Sequence, residues 1–113
     1  MDDFTTSVGR LLNQVGHWEQ SRWSVAVSAG VEPSATAGSS SSTRADTVHA
    51  LVQRLADLAA DAEGGALRTV PRLGDLLLPD QLRVMSGDLL AAAAPEDVLK
   101  IATAEVDTTR RSL

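Results

Sequence analysis

The sequence contains no cysteine. That excludes disulfides, thiol catalysis and cysteine-based zinc sites. Aromatic residues are nearly as scarce: Phe4, Trp18 and Trp23 are the only three, 3% of the chain, and all lie near its start. The remaining core must come from leucine, valine and alanine, which suits closely packed helices. A chain of 113 residues has the length of one domain and buries roughly 65% of its unfolded surface. Alanine contributes little apolar area, so the core is expected to be thin. Oligomerisation is a common remedy for a thin core.

Positive charge is also sparse. Ten basic residues face fifteen acidic ones, for a net charge of −5. Nucleic-acid binders usually present a basic face, because phosphate neutralisation supplies most of their affinity. Here the basic residues are scattered, and only Arg110 and Arg111 are adjacent. That pair falls where a C-terminal helix would end and would complement its dipole. The balance argues against nucleic acid. The longest apolar runs, such as residues 89–94, are far shorter than the ~20 residues of a membrane span. Met1-Asp2-Asp3 is acidic where a secretory signal would be basic, so a cytoplasmic protein is the expectation.

Catalytic and cofactor motifs are missing as well. There is no Gly-x-Ser-x-Gly elbow and no glycine-rich phosphate loop. Gly64-Gly65 resembles a helix stop, and Ser86-Gly87-Asp88 lies inside a helical pattern. Asp57 and Asp61 lie one turn apart, and Asp75, Asp80 and Asp88 flank a leucine-rich stretch; on a solvated helix such carboxylates are ordinary solubilising charge. Nothing calls for a cofactor, and the balance is against an enzyme.

What is present is helical periodicity. Phe4, Val8, Leu11, Leu12, Val15 and Trp18 share one face of an N-terminal helix. Gly9 and Gly16 weaken that helix by about 1 kcal/mol each, unless they admit a close neighbour. Residues 23–28 alternate apolar and small polar side chains, a weak strand signal; a short helical or irregular segment is the preferred expectation there. Residues 30–42, with Pro33, Gly38 and a serine run, have the composition of a flexible linker. Thr43 then caps the clearest helix, with Asp46 in a near capping-box position, and Gly64-Gly65 ends it. Its apolar stripe runs from Val48 through Leu51, Val52, Leu55, Leu58 and Ala59 to Ala62. Pro71 can begin a short helix through Leu78, Pro79 the next, and Pro95 the last.

The expected fold is therefore all-α: a small bundle of four or five helices, with a Ser/Gly-rich linker after an N-terminal arm. As a single domain it divides into residues 1–29, the N-terminal helix and Trp-containing arm; 30–42, the linker; and 43–113, the helical core. Short connections favour antiparallel neighbours.

Two sets of candidate site residues follow. Trp18, Arg22 and Trp23 place two indoles around an arginine, and Trp and Arg are enriched at binding hot spots. They could equally fill a core otherwise made of small residues, and at least one indole is expected to do so. His17 and His49 are the only histidines; with carboxylates such as Glu19 or Asp46 they are weak candidates for a ligand or metal site. Neither has metal-ligand spacing. The first functional expectation is a non-enzymatic domain that self-associates or binds a protein partner. The alternative is a small-molecule or metal-binding bundle grouping His17, Trp18 and His49. A weaker one is a transcription-associated domain with Arg68, Arg72 and Arg83 on phosphates. Asp80 and Asp88 on the would-be recognition helix oppose it.

Overall fold

The computed structural model describes residues 3–26 and 42–113. Among them are five α-helices: α1 (Asp3–Val15), α2 (Gln20–Trp23), α3 (Arg44–Glu63), α4 (Leu78–Ala91) and α5 (Glu96–Ser112), with a 3-10 turn at Asp75–Leu77 ahead of α4. The fold is all-α, a small bundle. Both α4 and α5 lie against α1 and against α3, so α1 and α3 form one diagonal and α4 and α5 the other. The single turn of α2 bridges the open end, touching α3 and the 3-10 turn. The core is one continuous cluster, running from Phe4 and Leu11 through Trp23, Leu55 and Leu82 to Val106.

Local chemistry sets the bounds of α3. The Thr43 hydroxyl accepts the Asp46 N–H at 3.1 Å, and the Asp46 carboxylate accepts the Thr43 N–H at 3.0 Å. That is a full capping box, with aspartate where glutamate is usual. The Thr43 N–H, and then Arg72 at 2.9 Å, hold the Asp46 carboxyl below its ordinary value. Its folded value is depressed, so this contribution is present above the ordinary carboxylate range and is lost as pH falls through the folded value. At the other end Gly64 takes a left-handed conformation, φ 72°, and the Gly65 N–H closes on the Ala60 carbonyl at 2.8 Å. The end of α4 lacks such a glycine: Ala93 adopts φ 55°, at a cost of about 1–2 kcal/mol for an L-residue.

Four details depart from the sequence pattern or refine it. First, α1 stops at Val15, before Trp18. Second, its glycines do not admit a neighbouring helix. A Cβ at Gly9 would meet nothing within 4 Å, and at Gly16 the close atom is the carbonyl oxygen of Leu12, one turn back in its own chain. Third, Trp23 closes α2; beyond it, Ala26 forms one isolated antiparallel bridge with Thr43. Val27 and Ser28 of the alternating stretch, and residues 30–41 of the linker, lie outside the described residues.

Fourth, no helix begins at Pro71. Residues 65–74 run without helical structure, because side-chain amides satisfy this backbone from two helices. On α3, Gln53 Oε1 accepts the Val70 N–H at 2.7 Å, and Gln53 Nε2 donates to the Arg68 carbonyl at 2.8 Å. On α4, Gln81 Nε2 donates to the Pro71 carbonyl at 3.0 Å. Val70 is pulled into the core. A Gln53→Ala exchange strands these groups. It should cost about 1–3 kcal/mol in urea melts and speed hydrogen exchange at the Val70 amide before other core amides. Unchanged protection there would show that Gln53 does not hold the segment.

Candidate functional site

The aromatic corner forms where α1 ends. The Trp18 N–H bonds the Val15 carbonyl at 3.1 Å, which turns the chain back after α1. The next turn, α2, brings Trp23 under Trp18. The rings meet edge to face, with centroids 5.0 Å apart at 72°, a favoured aromatic geometry. Trp23 is completely buried and Trp18 keeps 9% of its surface. Both therefore pack as core, and a partner could reach only the rim of Trp18. Arg22, between them in sequence, points to solvent.

A third group joins them from beyond residues 27–41. The Arg44 guanidinium lies 5.0 Å from the centroid of Trp18, a cation–π contact. The backbone N–H of Arg44 donates to the Val25 carbonyl at 2.9 Å, and its side-chain Nη1 to the Arg22 carbonyl at 3.5 Å. Gln20 Nε2, donating to Asp75 at 2.6 Å, ties the other side of α2 to the 3-10 turn. Beside this corner is an open depression of about 680 Å³, lined among others by His17, Trp18, Arg22, Val25 and Arg44.

The other histidine is elsewhere. His49 sits half-buried on α3, with Nε2 enclosed and lacking a hydrogen-bond partner, and it does not line the depression that His17 lines. His17 itself is exposed. Among the described residues no three metal-ligating side chains cluster. The singled-out carboxylates are largely taken: Asp57 accepts from Gln53, Asp75 from Gln20 with Arg72 nearby, and Asp80 from Arg83. The same pairs occupy Arg72 and Arg83, two of the three arginines considered for phosphate contact.

A second surface lies on α4. Its inner face buries Leu78, Leu82, Ser86 and Leu89. Its outer side carries the exposed Val84 among the charged Asp80, Arg83 and Asp88, while the 3-10 turn ahead of it leaves Leu76 and Leu77, with Leu73 just before, about half exposed. Leu77, Val84 and Ala91 recur every seven residues, so they line one side of the helix, with Gly87 beside them. The spacing of Leu78, Leu82, Met85, Leu89 and Ala92 in the sequence predicts only the inner face. The available signal was the run Leu76-Leu77-Leu78, since three consecutive helical residues cannot all point inward. No local pattern could have located Arg44.

The chain matches no family model, no curated protein and no solved structure.

The two tryptophan neighbours should differ sharply on truncation. Trp23→Ala should cost about 3–5 kcal/mol, as for a fully buried aromatic, whereas Arg22→Ala should change stability by less than about 0.5 kcal/mol. Chemical denaturation of both variants checks this; comparable costs would mean that Trp23 does not anchor α2.

Proposed function

We propose that this chain is a non-enzymatic interaction domain that self-associates through the outer face of α4 and the preceding 3-10 turn. The observation that carries this is the half-exposed set Leu73, Leu76, Leu77 and Val84. Scattered exposed leucines are ordinary, but Leu73, Leu76 and Leu77 gather around the 3-10 turn with Val84 two turns along α4, a local apolar concentration of the kind that marks an interaction surface. It also fits a thin core, in which association buries what the single chain leaves in water.

A second copy suits this face in shape. In an antiparallel two-fold pairing, residue i meets j and j meets i. Centred between Val84 and Gly87, such a pairing sets each Val84 against the other copy's Gly87, where a Cβ would meet nothing within 4 Å. Each Asp80 then meets Ala91, so no like charges oppose along the seam. The competing small-molecule reading draws support from the depression at the aromatic corner. A metal site grouping His17, Trp18 and His49 draws none, because the two histidines do not share that depression.

Native mass spectrometry over a range of concentrations tests this. The expected result is a dimer without added mass that Val84→Glu converts to a folded monomer. A monomer carrying a reproducible extra mass would contradict self-association and favour the ligand-binding alternative.

A further inference from the structure

The corner around Trp18 has a property that the interaction surface on α4 does not use. Arg22 and Arg44 line one depression, and neither guanidinium has a carboxylate partner among the described residues. In a chain of net charge −5, two unpaired arginines at one concavity are a local reversal of sign. We propose that this depression is a binding site for a small organic anion, one carrying a phosphate or carboxylate group on an apolar body.

Several features suit that chemistry. Arg44 is held in place before any ligand arrives, stacked on Trp18 and bonded to the Arg22 carbonyl. A pre-ordered guanidinium loses less freedom on binding and offers a planar fork to an oxyanion. Arg22 is exposed and can swing to the anion's other side. The His17 imidazole and the Ser21 and Gln14 side chains add polar groups along the same wall. The rim of Trp18 with Val25, which is 42% exposed, gives the apolar body a surface to lie on. Leu113 also lines this depression, and Glu19 lines an adjoining one that shares His17, Trp18, Ser21 and Arg22 with it. The volume of about 680 Å³ lies within the roughly 300–1,000 Å³ of small-molecule clefts. Its openness to solvent implies weak, salt-sensitive binding.

The test uses the full chain with phenyl phosphate as probe, and with inorganic phosphate and sodium chloride at matched ionic strength as controls. Two-dimensional NMR follows the Trp18 indole N–H and the arginine side-chain N–H signals. The expected result is saturable shifts at Trp18, Arg22 and Arg44 with phenyl phosphate, weaker saturable shifts with inorganic phosphate, and none with chloride. Arg22→Gln and Arg44→Gln should each weaken binding about five- to tenfold, while Arg68→Gln, on the connection between α3 and α4, should leave it unchanged. Among the described residues the Arg22 side chain makes no hydrogen bond or ion pair, so its variant stays interpretable even if Arg44→Gln loosens the corner. Equal loss in Arg68→Gln, shifts reproduced by chloride, or saturable binding unaffected by both corner variants would each overturn the site. The α4 face takes no part, so this outcome is independent of the oligomeric state.

Discussion

Everything in this fold depends on where two indoles go. Trp18 and Trp23 meet edge to face at 5.0 Å, and Trp23 is wholly buried. With Phe4 they are the only aromatics in a core otherwise assembled from leucine, valine and alanine. The N-terminal segment is therefore an integral part of the bundle: α1 packs on α5 and α4, and α2 covers the corner beside α3. Burial of an aromatic stabilises by several kcal/mol, which is a large fraction of the 5–15 kcal/mol typical of a domain.

That arrangement divides the surface. The aromatic corner, where an exposed arm would have been the natural contact, offers the rim of Trp18, two arginines and a few polar neighbours. Apolar side chains are left in water around the 3-10 turn and on α4, at Leu73, Leu76, Leu77 and Val84. Helix α4 buries one side against α3 and α1 and has leucine and valine on the other. Elsewhere polar groups are paired economically: Asp46 serves both the α3 cap and Arg72, and Gln53 serves both directions of the connecting backbone. Against that background, the exposed leucines ahead of α4 and the two guanidiniums gathered at one depression stand out as the places where the chain has contacts to offer.

Legibility in the sequence followed the range of the interactions. The limits of α3 were readable from Thr43, Asp46 and Gly64, because a cap and a left-handed stop act within one turn. The start of α5 at Pro95 was readable for the same reason. The segment after Gly65 was not. Pro71 permits a helix, but the pull of Gln53 and Gln81 on its backbone comes from other helices and leaves no local pattern. At the corner, Trp18, Arg22 and Trp23 were visible as a group, yet the sequence could not say that both indoles pack inward. Nor could it supply Arg44, which the fold returns from beyond residues 27–41. His17 and His49 do not line one depression, and no local sequence pattern showed where either imidazole would lie.

Intrinsic fluorescence tests the central claim most directly, because the chain has no tyrosine and two tryptophans. The buried, edge-to-face pair predicts blue-shifted emission that acrylamide quenches poorly at every protein concentration, with both properties lost together on unfolding. Water-like emission from the folded chain at low concentration, shifting to blue only as copies associate, would contradict it and would place the tryptophans in an exposed arm that other molecules bury.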